Sequence, residues 1–269
     1  MLDIDTKKIE QIIRHVSDTE VMPRFNNLAS GDIREKNPGD FVTIADEASE
    51  KVFTKLLSEA LPGSLVVGEE AVSKDLNVLK KFAEGKPVWV IDPIDGTYNF
   101  SHNRSKFGIL IALVQNGVTQ YGWAFDAPGN HMLSAQKGKG AFIDGKKLNI
   151  KCDKQDNKEI IVQAGGAQGW HFDPIRPLFG EVLNFRCAMH DFMNFVTGGC
   201  DVIVHTNKVT PWDHAANVLI AEEAGAYIAV NDGRAYDPAE YGPAFLMATA
   251  SKEWWERLYP VMQPIIKER

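Results

Sequence analysis

In the run Trp89-Val90-Ile91-Asp92-Pro93-Ile94-Asp95-Gly96-Thr97, an apolar stretch ends in two carboxylates three residues apart, closed around a proline and followed by Gly-Thr. Two further acidic sites share that placement. Glu69-Glu70 closes the apolar run 64–68, and Asp213 follows Pro211-Trp212 at the start of a helical pattern. Singly, these acids have ordinary readings as a turn, a solvated loop and a helix N-cap. Together they stand at the ends of apolar elements, where loops project function from a rigid scaffold, and as a cluster they repel unless cations lie between them.

Mg²⁺ supplies that compensation, because it takes carboxylate oxygens and keeps waters that can react. Pro93 fixes the backbone after Asp92, letting one carboxylate bridge two ions while Asp95 holds the second and the Ile94 carbonyl completes the set. Gly96 and Thr97 offer backbone N–H groups at an expected helix start, a seat for phosphate. Acids, metals and a phosphate seat describe two-metal phosphoryl hydrolysis. The seven histidines form no HxxxH or HExxH pattern for zinc, and the glycines of 138–145 lack the GK[ST] of a nucleotide loop.

The elements that must position these groups follow from periodicity. Residues 4–28 read as one amphipathic helix, with Ile9, Ile12, Ile13, Val16, Met22 and Phe25 on a stripe. A polar connection over 30–40 leads to Thr43, which forms a capping box with Asp46 for a second helix whose apolar face is Ala48, Val52, Phe53, Leu56 and Leu57. Strands at 64–68 and 87–91 deliver Glu69-Glu70 and the turn at Asp92. Asn116-Gly117 then marks a hairpin, and strands at 131–136 and 141–150, with a turn at Asp144-Gly145, complete an antiparallel meander. From residue 158 the rhythm is α/β: strands at 160–164, 202–205, 227–230 and 245–249 alternate with helices near 173–180, 189–198, 213–224 and 252–267, giving a soft boundary near residue 152. The helix from Asp213 stops at Gly225, and Asp213 can start it while aiming its carboxylate at a metal. Trp170, Trp254 and Trp255 read as packing or interface residues.

The 269 residues, 44% of them hydrophobic, suffice for a proper core. A net charge of −7 disfavours a broad nucleic-acid or anionic-membrane footprint, so an anionic substrate must meet a local positive centre. Cys152, Cys187 and Cys200 form no CxxC pair and read as reduced thiols, which fits a cytoplasmic setting. No stretch approaches the length of an apolar membrane span, and the N-terminus lacks the apolar core of a signal peptide.

Gly68-Glu69-Glu70, the stretch DPIDGTYNF at 92–100 and PWDHAANVLIAEEAGA at 211–226 resemble, in order and separation, the three signatures of the inositol monophosphatase superfamily. Lys36 to Glu50 resembles its N-terminal signature, and the likeness points to the bacterial branch of extragenic-suppressor and inositol-1-monophosphatase-like proteins. It implies a layered αβαβα sandwich, an α+β or α/β fold of the inositol monophosphatase and fructose-1,6-bisphosphatase type. Residues 1–152 and 153–269 would form one catalytic unit with the site in the cleft between them. The resemblance places Glu69, Asp92 and the Ile94 carbonyl on one Mg²⁺ and Asp92, Asp95 and Asp213 on another. Glu70 would act through water or a third ion, giving two or three ions per chain. Thr97, paired with Asp46, would orient and help deprotonate water for in-line attack on a phosphate monoester, with Gly96, Thr97 and Asp213 also against the substrate. A homodimer and inhibition by lithium are implied too.

Substrate recognition departs from the inositol-hydrolysing members, in which a Gly-Ser/Thr-Ala-Ala segment and a glutamate before the final Trp-Asp contact the sugar alcohol. These positions fall on Arg186-Cys187-Ala188-Met189 and on His205, with one extra residue before Trp212. Arg186 can bind a second phosphate or a carboxylate bidentately, or pair with a neighbouring acid. The expected activity is hydrolysis of inositol monophosphate or a related sugar or polyol phosphate. Fructose-1,6-bisphosphatase, histidinol phosphatase and adenosine 3′,5′-bisphosphate phosphatase are the alternatives. A regulatory interaction protein of the extragenic-suppressor type is the reading of a different class, against which the intact ligand set argues.

Overall fold

The computed structural model describes residues 2, 4–152, 154–166, 169–231 and 233–266, with backbone alone at 169 and 170. The expected packing role of Trp170 therefore falls on a side chain outside the described residues.

Asp5 caps α1 (Thr6–Val16) by accepting from the Lys8 N–H at 3.0 Å, and Ile9, Ile12, Ile13 and Val16 are buried along its stripe. The expectation of one helix to residue 28 is corrected. A π-turn over Ser17–Val21, closed by Met22 N–H donating to Ser17 O at 2.8 Å, rephases the stripe. Val21 is thereby buried, and Phe25 stands 4.8 Å from the Phe107 ring after the helix has ended. The connection after it is also corrected. Residues Ile33–Asn37 (β1) and Asp40–Thr43 (β2) form an antiparallel hairpin whose largely exposed, polar sequence has none of the alternation that signals a strand. The capping box of Thr43 and Asp46 opens α2 (Ile44–Ala60) as expected, but its most buried face runs through Ala45, Ser49, Phe53 and Leu57 and includes Asp46 and Glu50.

A seven-stranded sheet follows in sequence order. It comprises β3 (Leu65–Gly68), β4 (Val88–Asp95), β5 (Gly108–Gln115), β6 (Val118–Asp126), β7 (His131–Gln136), β8 (Gly140–Ile143) and β9 (Lys146–Lys147). Only β3 and β4 are parallel; the rest is the expected meander. Two short helices interrupt it, α3 (Glu69–Lys74) after β3 and α4 (Thr97–Ser101) after β4. The Asn116-Gly117 turn has positive φ at both residues, as the two-residue hairpin requires.

The second sheet contains β10 (Ile161–Gly165), β11 (Glu181–Leu183), β12 (Val202–His205), β13 (Tyr227–Val230) and β14 (Leu246–Thr249), in the order β11-β10-β12-β14-β13. Its helices are α5 (Ala188–Val196), α6 (Pro211–Glu223), α7 (Lys252–Leu258) and α8 (Gln263–Ile266). The helix expected over 173–180 is instead a 3₁₀ turn at Arg176–Leu178 followed by β11, because Pro174 and Pro177 deny the N–H groups a helix needs. Pro260 and Pro264 likewise break the final helix into α7, a 3₁₀ turn and α8, and residue 267 lies outside the described residues. Trp255 stacks on Tyr259 at 4.6 Å, so Trp254 and Trp255 serve the core.

Three cores separate the layers. One joins α1 and α2 to one face of the seven-stranded sheet, the next packs α5 and α6 between the sheets, and the third holds α7 and α8 on the far side of the second sheet. This is the αβαβα sandwich. The middle helix α6 is apolar nearly all round, as a helix between two sheets must be. It lies so close to β6 that a Cβ at Gly122 would come within 3.0 Å of the Ala216 backbone.

Candidate active site

In a regular strand, residues three apart point to opposite faces. At the end of β4, however, Asp92 pairs with Leu110 and Asp95 with Gly108, so three steps on β4 match two on β5. Pro93 sits inside this bulge, where its missing N–H disturbs the ladder least, and both carboxylates come to one side. The turn expected at Asp92 is thus a bulged strand end. The chain turns only at Gly96, whose φ of +85° and whose approach to Lys106 O, 2.9 Å from a would-be Cβ, exclude a side chain.

Asp213 approaches from α6. Thr210, not Asp213, caps that helix, its Oγ1 accepting from the Asp213 N–H at 3.3 Å, while Pro211 fills the first helical position. Asp213 is therefore released from capping, and oxygens of Asp92, Asp95 and Asp213 lie within 4.8 Å of one another. The site is rigidly supported. Asp92 accepts from the Ile94 N–H at 3.0 Å, while Asp95 accepts from the Ala188 N–H at 3.1 Å, from the Met189 N–H and from the Cys187 thiol at 3.2 Å. The segment expected to read the sugar alcohol thus also anchors an acid through the start of α5.

Glu69 and Glu70 open α3, whose first turn is capped from outside: the Glu50 carboxylate accepts from the N–H groups of Glu70 at 2.7 Å and Ala71 at 2.8 Å. Gly68 makes room, since a Cβ there would sit 2.3 Å from that carboxylate. From the β1–β2 hairpin, Lys36 Nζ reaches Glu69 at 2.9 Å and Glu70 at 3.0 Å. Burial opposes the charge on Lys36, but these two glutamates hold its ammonium well above the ordinary lysine range.

Burial, then the mutual repulsion of Glu69, Asp95 and Asp213, pushes the Asp92 carboxyl well above the usual carboxylate range. Glu69 is raised in the same way, Lys36 only partly offsetting burial. Asp95 is raised to about 6 by burial and by Asp213, despite the N–H groups it accepts from. Such a set of oxygens is one that a hard divalent cation relieves. Beside it, Thr97 Oγ1 lies 3.1 Å from Asp46 Oδ1 and 2.9 Å from Ile94 O, so its single proton has two acceptors. Burial raises Asp46 to about 7, although the Thr43 hydroxyl and N–H hold its other oxygen.

These groups face a cavity of about 970 Å³, whose lining includes Glu69, Asp95, Thr97 and Asp213 together with Arg186 and His205. His205 is only 3% exposed, and its nitrogens are engaged: Nε2 lies 3.1 Å from Asp191 Oδ2 and Nδ1 lies 3.0 Å from His214 Nε2. Asp191 also accepts from Gln163 at 2.6 Å, and His214 Nδ1 receives the Thr210 N–H at 3.3 Å. Burial, then the neighbouring His205, depresses His214 to about 4, so it is neutral near pH 7. A consistent assignment runs Thr210 N–H to His214, His214 to His205, and His205 to Asp191. This relay ties α5, which holds Asp95, to α6, which carries Asp213. What His205 offers the cavity is the edge of its ring.

Over residues 6–266 the sequence matches the Inositol monophosphatase family. The chain belongs to this family. Family membership makes the protein a phosphomonoesterase. It is 30% identical over 209 residues to the inositol-1-monophosphatase of Bacillus subtilis (strain 168), covering 75% of this chain and 77% of that one. In fold it is similar to the IMPase of Thermotoga maritima, with a TM-score of 0.80, 23% identity and coverage of 97% of this chain and 98% of that one. It is also similar to an IMPase/NADP phosphatase solved with Mg²⁺ and phosphate, with a TM-score of 0.78, 22% identity and coverage of 94% and 93%. Among the described residues, no helix is long and apolar enough to cross a membrane.

Sequence reasoning missed the α5 amides, Glu50, Asp191 and His214 as supports of this site. The Asp95-binding amides of α5 leave no side-chain signature, whereas Lys36, weighed from the sequence as catalytic support or a surface charge, does reach Glu69 and Glu70. Glu50 had a signal, standing one helical turn after Asp46 on the same face. Asp191 and His214 joined His205 only through the fold.

Proposed function

We propose that the protein hydrolyses the phosphate monoester of a small polyol or sugar, inositol monophosphate foremost, in a Mg²⁺-dependent reaction. The observation that carries this reading is the convergence of Asp92, Asp95 and Asp213 within 4.8 Å beside the Thr97–Asp46 pair. The two halves of the chain, residues 1–152 and 153–269, act as one catalytic unit, since Asp213 comes from the second half. Glu69, Asp92 and the Ile94 carbonyl would hold one ion and Asp92, Asp95 and Asp213 another, with Glu70 beside the first. Bound there, Mg²⁺ neutralises the phosphoryl oxygens and acidifies water.

The chain's own groups supply the proton path. The Thr97 hydroxyl accepts a proton from the attacking water as it passes its own to Asp46 Oδ1, which is matched to that task by a pKa of about 7. The amides of Gly96 and Thr97 face the phosphate, and Asp213 and the ring edge of His205 border the alcohol it leaves. Lithium inhibition and a homodimer complete the reading by family likeness.

Phosphate release from inositol 1-phosphate, fructose 1,6-bisphosphate, histidinol phosphate and adenosine 3′,5′-bisphosphate, with Mg²⁺ and with EDTA, tests it. Release with Mg²⁺ alone, greatest for inositol 1-phosphate and absent in Asp95→Asn, is expected. No release from any of the four would refute the reading in favour of a regulatory interaction role.

A further inference from the structure

Behind the phosphate seat lies a polar side chain that the proton path does not use, Asn99 of α4, only 3% exposed. Its amide Nδ2 donates to the carbonyl of Lys106 at 2.7 Å and to that of Phe185 at 2.8 Å, with the Arg186 carbonyl at 3.4 Å. Carbonyls only accept, so the nitrogen of the amide and not its oxygen must face them, and both of its protons are engaged. The Asn99 backbone carbonyl in turn accepts from the Arg104 N–H at 2.8 Å and the His102 N–H at 3.1 Å, closing the loop between α4 and β5. Each contact ends at a part of the site. The Lys106 carbonyl is packed against Gly96, 2.9 Å from a would-be Cβ, and Gly108, two residues further on, pairs with Asp95. Phe185 leads through Arg186, which turns in the left-handed region at a φ of +58°, into the Cys187 thiol and the Ala188 and Met189 amides that grip Asp95. One side chain from the first half of the chain thus ties together the phosphate seat, the strand opposite Asp95 and the segment of the second half that holds Asp95.

We propose that Asn99 is a positioning residue: it sets the spacing between the backbone amides of Gly96 and Thr97 and the carboxylate of Asp95, and through that spacing the affinity of the site for metal and for phosphate. The proposal rests on the phosphatase reading and adds to it a residue that acts through others. The geometry asks for a side chain with two donors at this reach. Aspartate has the same shape and, ionised, no donor, so it turns a carboxylate toward two carbonyls. Alanine leaves a gap lined by carbonyls, where a water can donate to both. Glutamine carries the amide one methylene too far. A side chain that only filled volume would rank the first two the other way, aspartate being tolerated and alanine costly.

The test reads two dissociation constants by calorimetry, for Mn²⁺ alone and for inorganic phosphate in saturating Mg²⁺, each at a temperature well below Tm. The proteins compared are the wild type, Asn99→Asp, Asn99→Ala and Leu258→Val, the last a change in the core on the far side of the second sheet that controls for stability lost elsewhere. Asn99→Asp should weaken both constants on the order of tenfold or more, the scale of removing a group that orients a metal ligand. Asn99→Ala should weaken both by about fivefold, the worth of one ordinary hydrogen bond, since a water replaces the amide less firmly. Leu258→Val should lower Tm and leave both constants within about twofold, as a distant and independent site does. If Asn99→Asp does not fold, Asn99→Ala against Leu258→Val decides the matter on the same two constants. Either constant unmoved in the Asn99 variants, a greater loss in Asn99→Ala than in Asn99→Asp, or an equal loss in Leu258→Val overturns the proposal. Turnover by the wild type with both constants unmoved in the variants counts against the positioning role alone. Weakened binding in the variants with no ester hydrolysed by the wild type supports that role and counts against the proposed reaction alone.

Discussion

The acidic and the cationic residues that line the cavity are held differently. The acidic side stands on β4, α3 and α6, and its aspartates at the β4 bulge are held by backbone amides: Ile94 for Asp92, Ala188 and Met189 for Asp95. The cations Arg186 and Lys208 stand on loops, each against an aromatic ring, Tyr98 and Tyr241 respectively. Groups that must keep their spacing to a fraction of an ångström are placed on rigid elements with supported carboxylates. Residues on loops can change while the scaffold stays as it is.

If that division is right, substitutions on the acidic side act on the chemical step and not on selection. The largest effect is expected for Asp95→Asn, a loss of about 10³-fold in kcat for every substrate with ligand discrimination kept, the scale of removing one charged group from a catalytic site. Steady-state kinetics on two substrates measures both. Thr97→Ala should lower kcat by about 10²-fold, as loss of a proton-transfer group does. The wild-type rate should also rise with pH along a limb at or below about 7, because cations bound nearby pull Asp46 down from that value. A pH–rate profile that keeps this limb in Asp46→Asn would remove Asp46 from the proton path.

The relay between α5 and α6 gives a smaller effect. Asp191→Asn leaves His205 Nε2 or Gln163 Nε2 facing an amide donor, at a cost of about 1–3 kcal/mol, read as a lower urea midpoint. An unchanged midpoint would show that α5 and α6 keep their spacing without the relay.

The smallest effect concerns stability and pH. Burial above all raises Glu50 and Asp46 to about 7 and Asp95 to about 6, so the native protein holds protons that the unfolded chain has released. The stability these groups contribute is full below the ordinary carboxylate range and is lost as pH rises through about 7. In EDTA, Tm should therefore fall by several degrees between about pH 5 and pH 8. Mg²⁺ should flatten that fall, because it binds the ionised carboxylates. A Tm that climbs over this range in EDTA would contradict the raised values.

Much of the acidic side was legible in the sequence because each acid terminates an apolar run that a sheet or helix must bury. Asp92, Asp95 and Asp213 could be named from spacing, although the bulge that turns Asp92 and Asp95 to one side could not. That bulge depends on β5, whose Gly108 sits opposite Asp95. The meander was equally readable, its turns marked by Asn116-Gly117 and Asp144-Gly145. Elements whose sequence runs against their structure were not. The β1–β2 hairpin carries Lys36 on an exposed polar strand, and β11, just past the span expected to be helical, has only the three residues Glu181–Leu183 to signal itself. The relay was illegible for another reason: Gln163, Asp191, His205 and His214 are scattered over two strands and two helices and meet only once the two sheets enclose α5 and α6.

The most direct test of the central claim is anomalous diffraction from a crystal soaked in Mn²⁺ as a stand-in for Mg²⁺. The predicted result is manganese density between Asp92, Asp95 and Asp213, with a second peak at Glu69 and Lys36 moved away from it. Manganese bound elsewhere, with those three carboxylates still bare, would contradict the claim that this buried acid cluster is the metal centre of the enzyme.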